Sequence, residues 1–79
     1  MLNSLTLRES EVLPLLAMGY SNKQIGDKLC ISVSTVKVHV QEILSNLKVR
    51  NRIQAAAVAA YFLKIKPEEI VKAANRPKL

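Results

Sequence analysis

Ser21 and Ser32 mark two helix starts so close together that only a short helix and a turn of about two or three residues fit between them. Such a turn forces the two helices to cross steeply. An earlier start lies at Thr6, where Glu9 stands at the third following position, the spacing of a capping box. Gln24 stands in the same relation to Ser21.

Reading outward from that pair, the apolar spacing predicts four helices. The first runs from about Leu7 to Met18, with Val12, Leu13, Leu15 and Leu16 at helical intervals and Gly19 placed for a left-handed end. Pro14 lies inside it, removes the bond to Ser10 and predicts a bend, at roughly 3 kcal/mol in an ideal helix. The second covers about Asn22 to Cys30, with Ile25 and Leu29 facing the core. Ile31 begins the turn. The third runs from Val33 to Leu47, its core stripe being Val36, Val40, Ile43, Leu44 and Leu47. Ser34, Val38, Gln41, Glu42 and Ser45 occupy the opposite face, flanked by Lys37. Lys48–Asn51 form a basic connector. The fourth helix, Arg52 to Ile65, is apolar nearly all round, which implies more than one buried side. Pro67–Asn75 is a candidate short fifth helix, with Glu68 and Glu69 at its positive end.

Composition supports an all-α fold. The 79 residues are 49% hydrophobic but include only two Tyr, one Phe and no Trp, so Leu, Ile, Val and Ala must build the core. Two Gly and three Pro are too few for a series of hairpin turns. The size bounds the chain to one small domain. The expected division is a helical domain over residues 1–66, with its helix-turn-helix unit at 21–40, and a C-terminal extension over 67–79.

Several function classes lose support. Cys30 is the only cysteine, which rules out an internal disulfide and suggests a reducing compartment. One His and one Cys give no zinc spacing, so no metal and no cofactor is expected. No nucleophile–base pair or Gly-rich phosphate loop is visible, and no catalytic residue is assigned. Met1–Ser10 do not resemble a secretory signal, and the apolar stretch near Ala55–Leu63 is too short to span a bilayer. The expectation is a soluble cytoplasmic protein that does not act on membranes.

The net charge of +6 is unevenly placed. Residues 1–27 carry two basic and three acidic side chains, net −1; residues 28–52 carry five and one, net +4; residues 53–79 carry five and two, net +3. Positive charge that begins mid-chain fits a polyanion partner. A helix-turn-helix layout gives that charge a use. The second helix opens with Ser21, Asn22 and Lys23, a cap, an amide and a cation, at an end where free N–H groups favour phosphate. The third opens with Ser34 and Thr35, hydroxyls suited to phosphate oxygens, and then presents Lys37, Val38 and Gln41. Lys can donate to guanine, Gln can pair with adenine, and Val can touch a thymine methyl. Arg50 and Arg52 are placed near phosphate, with a surface role or helix-start pairing as the alternatives.

The chain resembles the LuxR/GerE-type (NarL/FixJ-like) helix-turn-helix domains. The matching residues are Leu5-Thr6 with Arg8-Glu9, Glu11-Val12-Leu13 and Leu15-Leu16-Ala17 before Gly19. Then come Ser21-Asn22-Lys23, Ile25, Leu29, Ile31-Ser32 and the run Thr35-Val36-Lys37-Val38-His39-Val40. Ile43-Leu44, Leu47, Val49, Arg52 and Ala55 complete the match, which spans about Leu5 to Leu63. The resemblance implies a bacterial transcription regulator that binds inverted DNA repeats as a dimer, with Lys37, Val38 and Gln41 at base edges. It also implies self-association through the fourth helix, placed here on Ala55, Val58, Ala59 and Phe62, and RNA polymerase as a further partner. In some members the Gln41 position holds Lys. Pro14, Gly26 where Ala is usual, and Cys30 are departures. Many members carry a receiver or ligand-sensing domain ahead of this one. No small-molecule ligand is expected in the domain itself.

Blander readings stand beside these. His39 fits packing or phosphate proximity, Cys30 a small hydrophobe, and Glu9 a cap with Glu11 a solvated partner. The Ala-rich fourth helix is either core cover or a dimer face. The rival function is a protein-interaction module docking through residues 52–65.

Overall fold

The computed structural model describes residues 5–64 and Glu68. They form α1 (Leu7–Ala17), α2 (Asn22–Leu29), α3 (Val33–Leu47) and α4 (Arg52–Leu63), with no strand among the described residues. The all-α expectation and the four-helix order hold. No helix among the described residues is long and apolar enough to cross a membrane. The segment over Pro67–Asn75, read above as a fifth helix, lies outside the described residues except for Glu68.

Each helix begins on a side-chain cap that satisfies a first-turn amide. Thr6 Oγ1 accepts from Glu9 N at 3.2 Å while Thr6 N donates to Glu9 Oε1 at 3.4 Å, completing the capping box of α1. Ser21 and Gln24 repeat the arrangement at α2, at 3.1 and 2.8 Å. Ser32 Oγ accepts from Thr35 N at 3.1 Å. Asn51 caps α4 through Gln54 N at 2.9 Å, and Arg50 N donates to Gln54 Oε1 at 2.8 Å.

The helix ends explain where the boundaries differ from expectation. After α1, Gly19 takes φ +88°. Tyr20 N then donates to Leu15 O and Gly19 N to Leu16 O, each at 3.1 Å, the paired bonds of a Schellman end. Helices α2, α3 and α4 also stop on a left-handed residue, here without glycine, at Cys30 (φ +59°), Lys48 (φ +57°) and Lys64 (φ +55°). Cys30 is therefore the left-handed stop of α2 rather than its last helical residue, and α4 ends at Leu63 rather than Ile65. Helix α1 continues through Pro14 to Ala17, and Pro14 O accepts from Met18 N at 3.0 Å.

One core joins all four helices. Val12, Leu13, Leu16 and Ala17 of α1 meet Ile25 of α2, Val36, Val40, Ile43 and Leu47 of α3, and Ala55 and Ala59 of α4. Helix α1 packs on α3 and α4, and α2 packs on α3. The turn Cys30-Ile31-Ser32 passes over Gly26: a Cβ there would stand 2.7 Å from Ile31 O, closer than backbone tolerates. Ile31 N donates to Gly26 O at 2.9 Å, closing that turn. A polar tie crosses the core edge, where Asn46 Nδ2 of α3 donates at 2.9 Å to Oε1 of the buried Glu9.

The dimer face read from the sequence needs correction. Ala55 and Ala59 are wholly buried inside the chain's own core, so they cannot meet a second copy. Their size is the reason: methyl side chains one turn apart let α4 approach α1 closely, and the Ala-paved side becomes the inner one. Val58 is half-buried and Phe62 half-exposed. The outer side of α4 instead carries Ile53, Ala57 and Tyr61 at successive turns, with Ile53 81% and Tyr61 79% exposed.

Backbone conformation at the helix ends predicts opposite effects at two similar sites. Gly19→Ala has free space but must hold φ +88°, and should cost about 1–2 kcal/mol. Lys48→Gly removes a strained left-handed residue, and should raise stability by about 0.5–1 kcal/mol. Thermal unfolding of the two variants checks both signs. Equal shifts in one direction contradict the account.

Candidate nucleic-acid interface

The stripe that faces inward on α3 dictates what faces outward. Val36, Val40, Ile43 and Leu47 are buried, and Leu44 packs partly against them. At about 100° per residue, Ser34, Lys37, Val38, Gln41 and Ser45 are left outside, and all five are exposed. Val38 is 57% exposed and places an apolar surface on the outer side of α3. Lys37 has no acidic partner among the described residues. Helix α3 thus presents an outer ridge, unobstructed by the described residues, that combines a free cation, an apolar contact and an amide.

The N-terminus of α2 lies one short helix and one turn ahead of α3 in the chain. Ser21 and Lys23 are exposed and Asn22 is half-buried. Ser21 Oγ is engaged as the cap. Lys23 Nζ lies 3.3 Å from Asp27 Oδ2, with both side chains well exposed; such a pair contributes little and exchanges readily for another anion. On α3, Ser34 and Thr35 are exposed, and the Thr35 hydroxyl shares a 2.9 Å hydrogen bond with that of Ser32. Arg50 is exposed at the start of α4.

Arg52 departs from its expected role. Its Nη1 donates to Asn22 Oδ1 at 2.5 Å and its Nη2 to Tyr20 O at 2.6 Å. The guanidinium is spent on the chain itself, joining the first residue of α4 to the loop and first turn of α2. The helix-start alternative comes nearer, although the helix served is α2 rather than α4. Burial lowers the pKa of Arg52 from its ordinary value, and a guanidinium nevertheless stays charged at neutral pH. Both acceptors are neutral, so the charge is not cancelled by its partners.

The residues with metal-ligand chemistry form a different kind of contact. Atoms of Glu9, His39 and Glu42 lie within 4.8 Å of one another. A bound divalent ion at about 2.0 Å from each ligand would draw them to roughly 3.3 Å. Glu9 Oε1 already accepts from Asn46 and Thr6 N, and His39 Nδ1 stands 3.6 Å from Glu42 Oε1, beyond a good hydrogen bond. The group serves the α1–α3 contact. Arg8 and Glu11 form a loose exposed pair at 3.7 Å.

Two contacts had no clear sequence signal: Glu9 with Asn46, and Arg52 with Asn22 and Tyr20. Each pairs residues 30 or more positions apart. Local patterning carries no information at that range.

Known proteins share this pattern. Residues 3–59 match the family described as bacterial regulatory proteins, luxR family. The chain is 54% identical over 56 residues to the transcriptional regulatory protein LiaR of Bacillus subtilis, a stretch that is 71% of this chain and 26% of that protein. It is 51% identical over 55 residues to the response regulator protein VraR of Staphylococcus aureus, covering 70% of this chain and 26% of that protein. The nitrate/nitrite response regulator protein NarL of Escherichia coli is 48% identical over 54 residues, covering 68% and 25%. The chain therefore spans about a quarter of the length of the curated relatives it matches. With the family pattern running through all four helices, this chain belongs to the luxR family of bacterial regulatory proteins.

Proposed function

We propose that the domain binds double-stranded DNA in a sequence-specific manner, as part of a bacterial transcription regulator. The observation that carries this reading is the outer ridge of α3, where Lys37, Val38 and Gln41 are exposed and lie outside the core. A helix of this width enters the major groove, where those three side chains meet base edges. Ser21, Asn22, Lys23, Ser34, Thr35 and Arg50 contact the phosphates on either side, and α2 directs its N-terminal amides at one of them. The unit comprises residues 1–66, with 67–79 as an extension. It works in the bacterial cytoplasm and performs no catalysis.

Two copies bind two half-sites, and RNA polymerase is a further partner of the bound regulator. The copies meet through the outer side of α4, at Ile53, Ala57 and Tyr61 with Phe62 beside them. The exposure of Ile53 and Tyr61 supports this placement, because apolar side chains grouped on one face mark an interaction site. The same face supports the second reading, a domain that docks only on other proteins. DNA titration separates the two readings.

Selection of bound duplexes from a random pool should yield a preferred site, and its affinity should fall steeply with salt. The slope of log K against log salt should be about −0.9 for each phosphate neutralised. Salt-independent or absent binding rejects the proposal. On the selected site, Lys37→Ala should cost about 1–3 kcal/mol and relax the preference at one base position. The same variant should change folding stability by less than about 0.5 kcal/mol; a large fall in unfolding temperature would assign Lys37 a structural role instead. Sedimentation should show self-association of the wild-type chain that Tyr61→Glu abolishes.

A further inference from the structure

Arg52 was the one cation in the candidate interface found bonded inward, and what it holds is itself a candidate phosphate ligand. A guanidinium has only donors, so the Asn22 atom 2.5 Å from Nη1 must be the carbonyl oxygen. That assignment leaves the Asn22 NH2 group as the end of the amide not held by the chain. The second bond, to Tyr20 O, anchors the backbone immediately ahead of the Ser21 cap. Tyr20 N is bonded in turn to Leu15 O at 3.1 Å. One guanidinium thus sets both the orientation of the Asn22 amide and the position of the loop that starts α2. Because Arg52 is the first residue of α4, the same bonds tie the dimer-side helix to the phosphate-side helix.

We infer that Arg52 is a positioning residue: it contacts no phosphate itself but fixes the Asn22 amide with its NH2 group presented to one. The planar fork is essential, since two acceptors from separate points of the chain must be met at once. A lysine supplies the same charge from a single point and cannot satisfy both in that geometry. The inference rests on the DNA-binding reading above.

The test measures affinity for the selected duplex at fixed salt in five proteins: wild type, Asn22→Ala, Arg52→Met, Arg52→Lys and the double variant Asn22→Ala/Arg52→Met. Loss of one hydrogen bond to a charged oxygen should weaken binding about tenfold in Asn22→Ala. Arg52→Met and Arg52→Lys should each show about the same loss, and the double variant should be no weaker than the singles by more than about twofold. Binding by Arg52→Lys equal to wild type would show that charge alone suffices and would overturn the inference. So would losses that multiply to about a hundredfold in the double variant, the result for two independent phosphate contacts.

A second measurement needs no substitution, so it stands even where a variant unfolds. On adding DNA to the wild-type domain, the nuclear magnetic resonance signals of the Asn22 NH2 group should shift. Those of the Arg52 guanidinium should keep their free-state positions. The reverse pattern overturns the inference while leaving DNA binding intact. A wild-type domain that binds no duplex overturns the DNA reading, and this inference with it.

Discussion

Burial of one side of α3 is the constraint on which the rest of the structure depends. Val36, Val40, Ile43 and Leu47 all enter the core, and helical geometry leaves no freedom over what then faces out. Every side chain proposed to meet base edges follows from that commitment. Mixed apolar and polar positions along one helix would tolerate small rotations; an inward stripe of four branched residues does not, because turning it would open cavities on one side and crowd the other. The core thereby aims Lys37, Val38 and Gln41 without any of them contributing to it.

The partner constraint is closeness. Gly26 lets the Cys30-Ile31-Ser32 turn lie against α2, and Ala55 and Ala59 let α4 lie against α1. Small residues here act through the distances they permit. The close placement of α4 brings Arg52 within reach of Asn22 and Tyr20. A domain with so few aromatic residues gains most of its stability from compact aliphatic packing, and long polar side chains then fix the edges. The Glu9–Asn46 bond performs this for α1 and α3, and the Arg52 fork for α2 and α4.

Helix starts were legible because their signals are local. Thr6 with Glu9, Ser21 with Gln24, and Ser32 each act within a single turn, and each cap forms as its spacing predicts. Helix ends were less legible. Gly19 announces its left-handed conformation, whereas Cys30, Lys48 and Lys64 adopt the same region with no glycine to mark it. There the closing backbone hydrogen bonds of the helix end hold a conformation that side-chain sterics disfavour by about 1–2 kcal/mol. Asn51 also caps a helix start, at the end of the basic connector Lys48–Asn51.

What the amino-acid order determined by itself was periodicity and capping: four helices, a tight second turn, and an α3 with one apolar and one polar side. These are properties of residues within a few positions of one another. Tertiary structure decided which apolar side of α4 turns inward, since a helix with apolar residues nearly all round has no preferred face until a neighbour supplies one. It also decided that Arg52 bonds to Asn22 and Tyr20, because that depends on the start of α4 meeting the start of α2. Short-range preference is written in spacing, whereas long-range pairing exists only once the core has brought the segments together.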